Sequence, residues 1–121
     1  MSRILVVDDE SSVRRMLSQF LKSQGYDVLE AESGEQALAL ARDGALALIL
    51  LDIDMPGIDG LETLRRLHRE VPGSLVVMVS GIDDEQRAIR SLEEGARDYI
   101  RKPVELQHLR AILLQQLALR S

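Results

Sequence analysis

The chain has 121 residues, 20 acidic against 15 basic side chains for a formal net charge of -5, 45% hydrophobic residues and no cysteine. That is enough chain for one domain, residues 1–121, and it excludes a disulfide framework, a thiolate zinc site and a low-complexity or disordered tract. The acidic balance argues against nucleic-acid binding by this domain, one Phe, two Tyr and no Trp leave few platforms for stacking bases or a flavin, and no apolar run approaches the roughly 18 residues that cross a bilayer, so the expected location is the cytoplasm with no membrane partner.

The first run, "RILVV" at residues 3–7, stops at Asp8-Asp9-Glu10 and predicts a buried strand. A segment with apolar residues at spacings of three and four predicts a helix over 12–24. "YDVLE", residues 26–30, alternates more and predicts an edge strand. Ser33-Gly34-Glu35-Gln36 reads as a capping box opening a helix over 34–43. "LALILL" is nearly all apolar, as a central parallel strand should be, and it runs straight into Asp52. A second capping box, Asp59 to Glu62, opens a helix over 60–70. "SLVVMVS" predicts a strand ending at Ser80-Gly81, and a third box, Asp83 to Gln86, opens a helix over 84–94. "DYI", residues 98–100, leads to Lys102-Pro103 and a last helix over 104–119. Gly25, Gly44, Gly73 and Gly95 fall just past helical segments, where a left-handed residue would end each helix.

Strands alternating with helices at this spacing predict an α/β fold, a doubly wound parallel sheet covered on both faces. Right-handed crossovers then put every C-terminal strand end on one rim, beside the topological switch point where ligands bind. Asp8, Asp52 and Ser80 are the first polar groups after their apolar runs and Asp9 and Lys102 come one position later, so all should meet there. Carboxylates gathered this way repel, by roughly 4 kcal/mol for two unit charges about 4 Å apart at an effective dielectric of 20, and so call for a cation. Oxygen ligands without Cys or His favour a hard ion, and a small protein ligand set completed by water favours Mg²⁺ over Ca²⁺. A metal, the Lys102 ammonium and the Ser80 hydroxyl form a cradle for a phosphoryl group, and an Asp among them can act as its nucleophile. Asp52 is the best placed.

In order and spacing, "ILVVDDE", "LILLDIDMPGIDG", "VVMVSG" and "DYIRKP" resemble the receiver domain of bacterial response regulators, over practically the whole chain. The resemblance implies a flavodoxin-like (βα)₅ sheet of strand order 2-1-3-4-5. It implies that Asp52 accepts a phosphoryl group from a phosphohistidine on a histidine kinase or histidine phosphotransfer protein. Asp8, Asp9, Asp52 and the backbone carbonyl of Asp54 would then hold Mg²⁺. Ser80 and Lys102 would bind the phosphoryl oxygens, with Ser80 and Tyr99 as the switch pair and the Lys102-Pro103 bond cis. The output would be the surface of the helix at 84–94, the strand at 98–100 and the helix at 104–119, presented to an effector protein or domain or to a second copy in a phosphorylation-dependent homodimer. Asp54, Gly81 and Val104 depart from the commoner residues. Gly81 would leave the phosphoryl group open to water, and Asp54 would bear on the lifetime of the adduct.

Other readings compete. "LILLDIDMP" also resembles the Asp-x-Asp strand end of haloacid dehalogenase-like phosphatases, but there the acidic pair comes last and a cap selects substrate. A receiver-like binding module that is never phosphorylated is a second alternative, and a nucleotide-binding sheet fails for want of a glycine-rich loop after the first strand. Asp8 and Asp9 could simply start a helix, and Tyr99 could be an ordinary half-buried aromatic. Asp59 reads as a helix cap, and His68 and His108 as solvated. The last helix carries apolar residues at 104, 106, 109, 112, 113, 114, 117 and 119, a wider stripe than one sheet face requires.

Overall fold

Successive residues of a strand face opposite sides of its sheet, and a run such as Ile4–Val7 is therefore apolar throughout only if both sides are covered. The computed structural model, which describes residues 2–118, covers both. Its elements are β1 (Arg3–Val7), α1 (Ser11–Ser23), β2 (Asp27–Ala31), α2 (Gly34–Asp43), β3 (Leu48–Asp52), α3 (Gly60–Glu70), β4 (Leu75–Ser80), a 3-10 turn (Ile82–Asp84), α4 (Glu85–Glu93), β5 (Asp98–Arg101) and α5 (Leu106–Ala118). The five strands are all parallel, in the order β2-β1-β3-β4-β5. Chain order reverses between β1 and β3, which makes their C-terminal ends the switch point.

Leu5, Val7, Ile49, Leu51 and Met78 pack on one side against Ala37, Leu38 and Ala41 of α2, Leu64 and Leu67 of α3, and Ala88 of α4. Ile4, Val6, Leu48, Leu50, Val77, Val79 and Ile100 pack on the other against Leu17 and Leu21 of α1 and Leu109, Ile112 and Leu113 of α5. Each such side chain contributes about 1.5–3 kcal/mol through burial, so β1, β3 and β4 are fixed in register by both faces. The two-residue period also sorts the rim. Asp52 follows Leu48 and Leu50 on the α1/α5 side, whereas Ser80 follows Val76 and Met78 on the side of α2, α3 and α4.

Two helix ends obey the glycine rule in full. After α1, the Gly25 N–H donates to the Lys22 carbonyl and the Tyr26 N–H to that of Leu21, with Gly25 at φ +93. After α4, Gly95 and Ala96 repeat the pattern onto Leu92 and Ser91, with Gly95 at φ +111. These paired bonds satisfy carbonyls that a helix end leaves open. Gly44 and Gly73 behave otherwise. Gly44 is extended at φ -132, and Gly73 is not left-handed, because α3 ends at Val71, whose N–H returns to the Leu67 carbonyl at 2.7 Å.

Capping divides in the same way. Ser33 accepts from the Gln36 N–H at 3.1 Å and Asp59 from the Glu62 N–H at 2.9 Å, as expected of caps. Gln36 returns its side chain to the Glu32 N–H rather than to that of Ser33. The box expected at Asp83 is not formed: the chain makes a 3-10 turn first, and Asp84 precedes α4 without capping it. β2 lies one residue later than expected, Tyr26 being used to close α1, and α5 begins at Leu106 rather than at residue 104. Leu119, counted in the apolar stripe of the last helix, lies outside the described residues.

Candidate functional site

Three strand ends and one loop deliver carboxylates, a hydroxyl and an ammonium to the rim between β1 and β3. Asp8, Asp52 and Ser80 are buried, at 1%, 2% and 1% exposure, where an uncompensated polar group is costly. The Asp8 N–H continues the ladder onto the Ala31 carbonyl at 3.1 Å, and Asp8 Oδ1 accepts from the Glu10 N–H at 2.9 Å. Arg14 fixes the same residue from behind by donating to its carbonyl at 2.7 Å while pairing with Glu30 at 3.0 Å. Neither Asp8 nor Asp9 caps α1, whose N-cap residue is Glu10, with no side-chain hydrogen bond to the helix. The pair's contact at the helix start is the bond that Asp8 Oδ1 accepts from the Glu10 N–H, just ahead of α1.

Lys102 arrives from the far edge of the sheet. Its N–H donates to the Ser80 carbonyl at 2.7 Å, and the Lys102-Pro103 bond is cis, as the resemblance implied. The ammonium lies 3.2 Å from Asp52 Oδ2, 3.1 Å from Asp8 Oδ2 and 3.7 Å from Glu10 Oε1. It hydrogen-bonds Asp52 and pairs with the buried Asp8 carboxylate at the same time. Burial above all, joined by the Asp8 carboxylate and opposed by Lys102, pushes the Asp52 carboxyl up to about 7. For Lys102, burial opposes the charge, yet Asp52 and Asp8 outweigh it and its pKa stands above the ordinary lysine value. One ammonium thus does not fully offset the carboxylates around it.

Asp8, Asp9 and Asp52 each present an oxygen within 4.8 Å of the others, with Asp9 open to solvent. An all-oxygen donor set and an incompletely compensated Asp52 together fit a small hard cation entering from the exposed side. Asp54 turns its side chain to solvent, and its N–H donates to Asp52 Oδ1 at 3.3 Å, which keeps that peptide beside the carboxylate. On the opposite side, the Ser80 hydroxyl is buried and has no hydrogen-bond partner. Tyr99 is half-buried on the same sheet face, beside Met78, and borders an open groove with Glu85, Arg101, Pro103 and His108. His68 and His108 are exposed, as expected.

Two features were not visible in the sequence. Gly60 is required by proximity, since a Cβ there would sit 2.4 Å from the Asp52 carbonyl oxygen and 2.5 Å from Ile53 Cα. Arg87 reaches back from α4 to the loop after Asp52; its only sequence clue was Asp84 three residues earlier, which suggests a local ion pair and nothing more.

A family model described as the response regulator receiver domain matches residues 4–114. The chain belongs to that family. This receiver domain is 42% identical over 115 residues to the phosphate regulon transcriptional regulatory protein PhoB of Pseudomonas aeruginosa, covering 91% of this chain and 49% of that protein. It is 36% identical over 107 residues to a cyclic di-GMP phosphodiesterase of Thermotoga maritima, covering 88% of this chain and 28% of that one. In structure it is similar to a response regulator receiver domain protein from Clostridium thermocellum, with a TM-score of 0.94, 30% identity and coverage of 99% and 97% of the two chains. The receiver domain spans less than half the length of these two curated relatives. The family places the chain in two-component signalling, as a switch, and the strand order matches the fold that the resemblance implied.

Proposed function

We propose that Asp52 takes a phosphoryl group from the phosphohistidine of a histidine kinase or histidine phosphotransfer protein, in a Mg²⁺-dependent reaction. The observation that carries this reading is the buried Asp52 carboxylate, flanked by Asp8 and Asp9 oxygens and the Lys102 ammonium, with an unpartnered Ser80 hydroxyl on the neighbouring strand. Asp8, Asp9, Asp52 and the Asp54 carbonyl would hold Mg²⁺, which supplies charge neutralisation for the carboxylates and phosphoryl oxygens when bound.

The residues do the rest. An Asp52 oxygen attacks phosphorus, the N–P bond breaks as the O–P bond forms, and the imidazole leaves with the electron pair and gains a proton. Lys102 remains as the fixed cation beside the oxygens, and the Ser80 hydroxyl donates to one of them. The acyl phosphate adds about -1.5 to -2 charges at the rim. Ser80 and Tyr99, which share a sheet face, then bias the surface of α4, β5 and α5 toward the conformation an effector reads. The partners proposed are the phosphodonor, a downstream effector protein or domain and a second copy in a phosphorylation-dependent homodimer, with the cytoplasm as location and no nucleic-acid or membrane role for this domain. Among the described residues no helix is long and apolar enough to cross a membrane.

The test is intact mass after incubation with acetyl phosphate, with and without Mg²⁺, on wild type and Asp52→Asn. One added phosphoryl group that needs both Mg²⁺ and Asp52 is expected. Phosphate released at a steady rate with no adduct would favour a phosphohydrolase, and neither adduct nor release would favour an unphosphorylated binding module.

A further inference from the structure

The Ile53–Asp54 peptide is one rigid plane with a partner at each end. Its N–H, on Asp54, donates to Asp52 Oδ1 at 3.3 Å. Its carbonyl, on Ile53, accepts from Arg87 Nη2 at 3.1 Å. The same nitrogen lies 3.2 Å from Asp59 Oδ2, and Arg87 Nη1 donates to Asp84 Oδ1 at 3.0 Å. One partly buried guanidinium therefore ties together the residue after Asp52, the cap of α3 and the residue that leads into α4. The planar fork of arginine suits this, because several donors are held in fixed relation and bonds to charged acceptors are the stronger kind.

Each loop also keeps anchors of its own. The Ile53 N–H donates to the Val79 carbonyl at 3.0 Å, and the Ile53 carbonyl accepts from the Gly60 N–H at 2.8 Å as well. Asp59 caps α3 through its other oxygen, Oδ1, at 2.9 Å from the Glu62 N–H. What Arg87 adds is therefore the connection between the loop over residues 53–59 and the start of α4.

We propose that Arg87 is a positioning residue that couples the Asp52 carboxylate to α4 through the Ile53–Asp54 peptide, by a route separate from the Ser80 hydroxyl. A change at Asp52 Oδ1 alters its bond to the Asp54 N–H and tilts the peptide plane. The carbonyl on the far side then shifts under the guanidinium, and Arg87, itself in the first turn of α4, carries the displacement into that helix. The inference rests on the receiver reading of Asp52.

The test is amide NMR on the full chain, before and after adding Mg²⁺ with beryllium fluoride as an acyl-phosphate mimic, for wild type, Arg87→Met and Arg87→Gln. In wild type the amides of Asp9 and Asp54 and those of residues 85–93 are expected to shift together. In Arg87→Met the site amides should still shift, while the response over 85–93 falls at least twofold. Arg87→Gln is too short and lacks the charged fork that spans Ile53 and Asp59, yet it keeps a polar group for solvent; it should give the same split, so it decides the matter if Arg87→Met fails to fold. A full α4 response in the variant that folds overturns the role of Arg87 and leaves the receiver reading standing. Site amides that do not respond in wild type overturn the receiver reading, and the coupling with it. A purely structural contribution of Arg87 would lower the melting temperature and leave the α4 response of the folded protein unchanged.

Discussion

Lys102 Nζ lies 3.2 Å from Asp52 Oδ2 across 50 residues of sequence, and the same ammonium stands 3.1 Å from Asp8 Oδ2. A buried carboxylate pair is tolerated here because a lysine on the far edge of the sheet is led back over β4 by its own backbone bond to Ser80. Both groups are shifted by the contact, and that makes the pairing measurable.

Replacing Lys102 by Met keeps the length of the side chain and removes its charge. Breaking one partner of a buried pair costs about 3–5 kcal/mol, but Asp52 can escape by taking up a proton. Urea unfolding of Lys102→Met without metal should therefore show a clearly larger loss at pH 8 than at pH 5. Equal losses at the two values would mean that Lys102 acts through packing.

The pH dependence of the metal-free wild type follows from Asp52 itself. Its folded pKa, about 7, is raised above the unfolded value mainly by burial, so the native state holds the extra proton in between. That contribution is fully present below about pH 4 and is lost as pH rises to about 7, a change on the order of 4 kcal/mol. Lys102, also raised, stabilises up to the ordinary lysine range and loses its contribution only as pH passes its higher folded value. Chemical unfolding between pH 4.5 and 8 should show the Asp52 slope, Asp52→Asn should flatten it, and Mg²⁺ should stabilise most at the alkaline end. A flat wild-type profile would contradict the burial of that charge.

Gly60 and Gly73 offer a matched contrast. A methyl at Gly60 meets the Asp52 carbonyl and Ile53 Cα, both backbone atoms that cannot swing aside, whereas at Gly73 it meets nothing within 4 Å. Gly60→Ala is expected to destabilise by about 3 kcal/mol or more. Gly73→Ala should stabilise by about 0.4–1 kcal/mol through the unfolded chain. Thermal melts of the two variants side by side check both signs.

Gly81 is not left-handed, and an added Cβ would touch only Asp84 Oδ2, at an ordinary 3.6 Å. Gly81→Ala should fold with little change or a gain of about 0.4–1 kcal/mol. If the glycine leaves the acyl phosphate open to water, the same methyl should lengthen the adduct's half-life, by a factor on the order of two to ten. Decay of the phosphorylated mass over time reads this directly, and an unchanged half-life would remove Gly81 from the account of hydrolysis.

The sheet was legible because burial on two faces leaves an unmistakable trace: "ILVV", "LILL" and "LVVMVS" tolerate almost no polar residue. The rim was legible for a related reason, since Asp8, Asp52 and Ser80 are where those runs stop. Caps were legible where one local bond decides them, as at Ser33 and Asp59. They were not at Asp83, where the chain tightens into a 3-10 turn before α4 and Asp84 turns to Arg87. The glycine rule held at Gly25 and Gly95 and failed at Gly44 and Gly73, because composition cannot tell a left-handed residue from a bend. Arg87 and Gly60 stayed hidden because their importance lies in contacts with residues distant in sequence or in a near approach of backbone, and neither leaves a periodic mark.

An ammonium held on a side chain is a counterion whose local concentration is set by the fold and not by supply. With Lys102 between Asp8 and Asp52, the acidic rim carries a counterion of its own, and the domain is expected to fold without dissolved metal. Depleting the surrounding divalent ions should then silence the chemistry of the site while leaving intact, folded protein ready to be recharged.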